Sequence, residues 1–420
     1  MTHADATPFR PGQSPVPSAG QAVHPAHPAY PAHRGCPMDP PALLGALREQ
    51  APASRVTLWD GSRPWLVTRH AEARQVLRDE RFSADARRDG FPFVSPSVTG
   101  LRDSPPSFIR MDPPEHDRQR RMVTQEFMIK RVARLGPRVE MIVAGLLDDL
   151  MATGPPADLV ESFALPLPSL VICELLGVPY ADHDFFQAHS RVLLNQKTPA
   201  AEVRASRDEL SGYLHDLVVE KAVRPQDDLL SRLLADHTRH DDLTVDDTVG
   251  MALLLLIAGH ETTANMTALS VLDLLEHPRQ WELLCADPGR VPGAVEELLR
   301  HQTIVHTGLP RVALEDTEIG GITVRAGEGV LVSLAAANRD ERAFPDPDRL
   351  DVQRPGRSHL AFGFGVHQCL GQPLARLELQ VALAGIVRRL PGLRIGVPAG
   401  DLSFRHTMAV YGLFHLPVVW

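Results

Sequence analysis

A cysteine, a histidine and three glycines crowd into FGFGVHQCLG, residues 362–371. Cys369 stands just ahead of LGQPLARLELQVALAGIVRRL, whose spacing predicts a helix with Pro373 in its first turn. A helix N-terminus offers partial positive charge and free backbone N–H groups, which lower a thiol's pKa and ready its thiolate to ligate a metal. Gly363, Gly365 and Gly371 let the backbone fold closely around the sulfur and keep side chains out of the way of a flat ligand. Cys36, Cys173 and Cys285 lack such company and read as structural.

A second group lies about a hundred residues earlier, in VGMALLLLIAGHETTANMTALSVLDLL, residues 249–275. Only its first third is uninterruptedly apolar, whereas a membrane span needs about 20 apolar residues. The segment reads as a buried central helix, and its glutamate and threonine pair need a reason, because a buried charge without a partner is costly. On a helix, Ala258, Glu261 and Thr262 stand at i, i+3 and i+4 and share a face. An acid beside an alcohol is suited to moving protons. Glu297 and Arg300 in EELLR form a third pair, one helical turn apart; on a surface such a pair contributes only about 0.3 kcal/mol.

These groups need a scaffold, and the composition supplies one. The chain has 420 residues, 44% hydrophobic and 23% charged, ordinary for a folded protein. Its net charge of -9, without an extended basic block, argues against nucleic acid as partner. Four scattered cysteines with no CxxC pair exclude a disulfide framework and a zinc ribbon and suit a reducing cytoplasm. Residues 1–35 read as a mobile leader rich in Pro, Ala and His, without the apolar run of a signal peptide. Beyond it, PPALLGALREQ and HAEARQVLRDERFS predict helices, VTLWDGSRPWLVT a hairpin, and helix dominates to about His301. Gly320 and Gly321 sit where a hairpin turns, and LSFRHTMAVYGLFHLPVVW reads as strands.

FGFGVHQCLG resembles the haem-binding signature of the cytochromes P-450, the haem-thiolate monooxygenases: Phe362, Gly363, Gly365, His367, Cys369 and Gly371 all match, and Ala375-Arg376 continues its bacterial form. The resemblance covers roughly residues 40–420. It implies a mainly α fold with small β-sheets, one domain over residues 36–420, and haem b between a long central helix and the cysteine loop. Cys369 is then the proximal iron ligand, a thiolate that favours O–O cleavage. Phe362 covers the sulfur, and His367, His116, Arg120 and Arg311 meet the two propionates. AGHETT resembles the family's oxygen-activating motif: Ala258 and Gly259 leave room for dioxygen, Thr262 holds a water, and Glu261 relays protons. Glu297 and Arg300 join a buried network completed by Arg349 or Arg354.

The implied activity is insertion of one oxygen atom of O2, as hydroxylation or epoxidation, into a medium-to-large lipophilic molecule such as a macrolide, another polyketide or a terpenoid. Electrons come from NAD(P)H through a ferredoxin-type donor and its reductase, docking beside Arg118, Arg121 and Arg376. No membrane partner is expected. Substrate walls are expected at residues 88–107, 183–203, 254–258, 305–309 and 408–410. Rival readings are a peroxygenase using H2O2, which has less need of Glu261 and Thr262, a ring-closing or coupling oxidase, and a haem sensor without turnover.

Overall fold

The computed structural model describes residues 27–237, 244–356 and 358–420. The helices that position the site are α1 (Glu115–Thr124), α2 (Pro166–Leu176), α3 (His183–Leu194), α4 (Ala200–Val223), α5 (Val245–Glu276), α6 (Val291–Gln302) and α7 (Gln372–Arg389). Helix α5 starts sharply because Thr244 and Asp247 cap it reciprocally. From His260 to Leu274 every residue of α5 is buried except Thr262, so this stretch runs through the core and opens at one position. Leu379, Ala382, Leu383 and Ile386 of α7 belong to the same core, which is why α7 holds firmly behind the cysteine loop.

Beside the helices lies a five-stranded sheet of β1 (Ala53–Arg55), β2 (Trp65–Val67), β3 (Phe82–Ser83), β4 (Leu309–Ala313) and β5 (Gly329–Val332), in the order β1-β2-β5-β4-β3. The β1–β2 hairpin pairs Ala53 with Val67, β2 runs parallel to β5, and β4 lies antiparallel to β5 with Leu309 opposite Val332. This register sets Arg311 in the sheet's interior, where it is buried. The turn at Gly320 and Gly321 joins two antiparallel strands, with both glycines at positive φ. No helix among the described residues is long and apolar enough to cross a membrane.

Two expectations differ from the structure. Residues 1–26 of the expected leader lie outside the described residues, but 27–35 pack onto the body: Ala29 bridges to Thr57, Tyr30 is buried, and the Arg34 guanidinium lies 3.8 Å from the Tyr411 ring centroid. The tyrosine gives this Pro-rich stretch something to bury. At the other end, the strands read in residues 402–420 reduce to Pro417–Val419, with single bridges at Phe404–Leu413 and Val305–Val410. The rest serves as a tie, as where Tyr411 N–H donates to the Ile304 carbonyl at 2.9 Å.

Candidate active site

The cysteine loop is held by backbone bonds. Cys369 N–H donates to the Phe362 carbonyl at 2.8 Å, closing the loop across a short turn at Gly365–His367, and Gly371 caps α7, which has Pro373 in its first turn. The glycines have separate reasons. Gly365, at φ +74°, would place a Cβ 2.2 Å from the Leu77 carbonyl oxygen, so it serves backbone packing rather than a ligand. A Cβ on Gly371 would meet nothing within 4 Å, so packing does not demand its smallness. Protein surrounds Cys369 on all sides, yet its surface is open, because the sulfur borders an internal cavity of about 310 Å³. Burial raises its thiol pKa, while the N–H groups of Gly371 and Gln372 and the charges of Arg120 and Arg376 pull it back down.

One rim of that cavity concentrates donors. Arg110, Arg120, Arg311 and His367 all border it. Burial pushes Arg110 and Arg311 down to about 10, with Arg110 adding its repulsion to Arg311. His367 is pushed down to about 2 by burial and by Arg311, His116 and Arg120. The rings of His116 and His367 stand 4.3 Å apart, and His116 Nε2 and His367 Nδ1 are buried without a partner. Asp117 bonds only His116 Nδ1 among the described residues, and the donors left unpartnered are unfavourable to bury unless an anion completes them. Lining one cavity with the Cys369 thiol, they fit a flat metal macrocycle with two carboxylates. Arg110 was not singled out in the sequence, where FIR carries no motif.

On α5, Ala258, Gly259, Thr262 and Thr263 border the cavity. Thr262 Oγ1 donates to the Ala258 carbonyl at 2.6 Å, which leaves its oxygen lone pairs to accept from a water or substrate. Gly259 does more than leave room: a Cβ there would stand 2.7 Å from Ile172 of α2, so its smallness also lets the two helices approach. Glu261 departs from the shared face read in the sequence. It is buried, absent from the cavity wall, and bound by Arg405 Nη1 at 2.7 Å and Asn265 Nδ2 at 3.3 Å. The i+3 position turns to the opposite flank from i+4, and Arg405 captures it there.

The remaining wall is apolar: Phe108, Leu254, Leu255, Ile304, Val305 and Leu309. The expected walls at 254–258 and 305–309 are therefore present, whereas residues 88–107, 183–203 and 408–410 do not border this cavity. The latter two are tied to each other and to the cavity wall instead: Asn195 bridges to Met408 and Val305 to Val410. The one acid on the wall is Glu378 of α7, fully buried, with Oε2 unpartnered and its pKa pushed up to about 8 by burial. It is neutral in the folded chain and charged in the unfolded one from about pH 4.3 upward. Stability therefore falls as pH rises between those values, by about 1.4 kcal/mol per unit from this group. Glu378→Gln should remove that slope, read as urea midpoints from pH 5 to 8.

Two adjacent acids of α6 secure the loop. Glu297 grips Arg300 through two bonds of 2.7 and 2.8 Å and accepts from Arg354 Nε at 3.1 Å; Arg349 contributes only its carbonyl, so Arg354 completes the network. Arg300 also donates to the carbonyls of Asn338 and Pro347. Glu296, not singled out in the sequence, binds His359 at 3.0 Å and Arg376 at 2.7 and 3.0 Å, one on each side of the cysteine loop. Arg376 also stacks on Phe362 at 4.6 Å. It is a strut of the loop and not the open surface cation expected beside Arg118 and Arg121, which are exposed.

A buried thiol ahead of a helix, a cationic rim for two carboxylates and a threonine-bearing core helix on one cavity define a haem-thiolate oxygenase. Residues 291–391 match the family model of cytochrome P450. Cytochrome P450-SU2 of Streptomyces griseolus is 54% identical over 387 residues, 92% of this chain and 95% of that protein. Pentalenic acid synthase of Streptomyces avermitilis is 49% identical over 92% of this chain and 96% of its own. The solved mycinamicin VIII C21 methyl hydroxylase MycCI of Micromonospora griseorubida, bound to mycinamicin VIII, is 39% identical, covers 94% of this chain and 100% of its own, and superposes with a TM-score of 0.89. The chain belongs to the cytochrome P450 family.

Proposed function

We propose that this protein hydroxylates or epoxidises a medium-to-large lipophilic secondary metabolite, of the macrolide, polyketide or terpenoid kind, with haem b as cofactor. Haem, when bound, supplies the iron chemistry that activates O2 and passes one of its atoms to the substrate. Cys369 would hold the iron, and His116, Arg110, Arg120, Arg311 and His367 would hold the propionates. The observation that carries the reading is the pairing, on one cavity, of the Cys369 sulfur with Thr262, the one open position in the otherwise buried stretch of α5.

The chain's own residues divide the remaining work. Leu254, Leu255, Ile304, Val305 and Leu309 bind an apolar substrate and exclude water from it. Thr262 orients a water by accepting a hydrogen bond from it, and Glu261 is the acid behind it. Ferredoxin and its reductase, drawing on NAD(P)H, supply electrons in the cytoplasm, and Arg118 and Arg121 offer the acidic donor an exposed basic surface on α1. The names of the relatives favour a secondary-metabolite substrate: a pentalenic acid synthase and a mycinamicin VIII C21 methyl hydroxylase stand among them.

The test is a panel of macrolides and terpenoids screened for a substrate-induced change in iron spin state, followed by turnover under labelled O2. One labelled atom in the product is expected; unlabelled, ring-closed or coupled product would replace oxygen insertion by the coupling reading. Thr262→Ala should keep oxidising NADPH while product per NADPH falls about tenfold and peroxide rises. Unchanged coupling would remove Thr262 from proton delivery.

A further inference from the structure

Glu296 does more than secure the loop, because the arginine it grips touches the cysteine's surroundings on two sides. The buried carboxylate takes Arg376 Nε at 2.7 Å and Nη2 at 3.0 Å, a two-point contact, and His359 Nε2 at 3.0 Å. The Ala361 N–H donates to His359 Nδ1 at 3.2 Å, so the ring is neutral and carries its proton on Nε2, aimed at Glu296. Arg376 gives its third nitrogen, Nη1, to the Gln372 side-chain oxygen at 2.8 Å, and its guanidinium lies 4.6 Å from the Phe362 ring centroid. Gln372 and Phe362 are the residues that serve Cys369. The Gln372 backbone N–H bonds to the sulfur, and the Phe362 carbonyl accepts the Cys369 N–H at 2.8 Å. Contacts thus run without a break from Glu296 through Arg376 and Gln372 to the thiol.

We propose that Glu296 is a positioning residue that holds down the reduction potential of the bound iron, by fixing Arg376 against the cysteine loop and offsetting that cation's field at the Cys369 sulfur. The inference rests on the haem-thiolate reading of Cys369. Reduction adds one electron to the iron and its thiolate, and no bond to Cys369 forms or breaks. A cation close by favours the added negative charge, and an anion opposes it. Held together, the guanidinium and the carboxylate largely cancel. Removing either partner leaves the other acting alone in a site shielded from water, where charges are felt more strongly. Burial opposes the Glu296 charge, but the bonds from His359 and Arg376 outweigh it, so the carboxylate stays ionised. Partners of this kind, one contact removed from a metal ligand, tune the metal as well as hold the ligand in place.

The haem-loaded protein, free of substrate, is titrated with dithionite and read by its absorbance. At the wild-type midpoint, Glu296→Gln should raise the ratio of reduced to oxidised protein about tenfold, which is about 59 mV for one electron, because Arg376 then acts unopposed. Arg376→Gln should lower the ratio by a similar factor, since it leaves the Glu296 carboxylate without its guanidinium. The double variant should return toward wild type, and Arg376→Lys, which keeps the charge, should stay within about threefold of it. Opposite signs are the outcome that a merely structural role does not produce: a loosened loop moves both single variants the same way. If Arg376→Gln retains too little haem to titrate, Glu296→Gln is set against Arg376→Lys, and a rise in the first alone supports the inference. Shifts of one sign in the two glutamine variants, or a Glu296→Gln ratio within about twofold of wild type, overturn it and leave the ligand assignment standing. A wild type whose reduced CO complex lacks the thiolate-type spectrum overturns the parent reading instead.

Discussion

Glu297→Ala is expected to yield protein that unfolds early in urea and retains little haem. Glu297 and Arg300 are both almost wholly buried, and Glu297 also accepts from Arg354 and from the Asp351 N–H at 3.0 Å. Removing the acid leaves a buried guanidinium uncompensated, which costs about 3–5 kcal/mol. A domain has only about 5–15 kcal/mol in total, so a third or more of the margin disappears. The loss reaches the haem pocket by a short path. Arg300 holds the Asn338 carbonyl, and the Asn338 side chain accepts the Leu360 N–H at 2.7 Å, two residues before Phe362. The ratio of haem to protein absorbance should therefore fall with the urea midpoint. A midpoint within about 1 kcal/mol of wild type would show that the loop stands without this network.

The same network shows where the sequence was legible and where it was not. EELLR points to Glu297 and Arg300 because spacing on one helix is local information. The second arginine comes from a segment about fifty residues away, and only folding shows that Arg354 and not Arg349 turns its side chain inward. Glu296 escaped notice for the opposite reason. Next to Glu297 it reads as an exposed helical charge, yet His359 and Arg376 converge on it from both sides of the cysteine loop and hold its carboxyl down to about 2 against the opposing effect of burial. Arg376 was misplaced as a surface contact because nothing in LARLE announces a partner on another helix.

Long core elements were the most legible. The apolar run and the Thr-Thr pair locate α5, and the glycine spacing locates the cysteine loop, because each is dictated by close packing along one stretch of chain. Side-chain direction was less so. Helical periodicity placed Glu261 beside Thr262, but one turn leaves it on the flank where Arg405, from residues that read as strand, can bind it. The far substrate walls failed for a related reason: loops such as 88–107 carry no periodicity, and the tie between Asn195 and Met408 joins segments far apart in the chain.

Two cysteines give the sharpest contrast in expected behaviour. Cys369→Ser should leave the fold nearly intact, since the bond from its N–H to Phe362 belongs to the backbone and the side chain faces a cavity. The urea midpoint should move by less than about 1 kcal/mol. A serine hydroxyl, however, stays protonated where a thiol beside iron ionises, so the electron-rich ligand is lost. The reduced CO complex should lose its thiolate-type spectrum, and product should fall to background. Cys173 is the control. It is buried in the hydrophobic core among residues such as Ile172 and Leu176, and burial raises its thiol to about 12. Cys173→Ser should cost about 1–3 kcal/mol through a hydroxyl in an apolar site, yet keep the spectrum unchanged. A thiolate-type spectrum surviving in Cys369→Ser would sink the ligand assignment, because no other described cysteine borders the cavity.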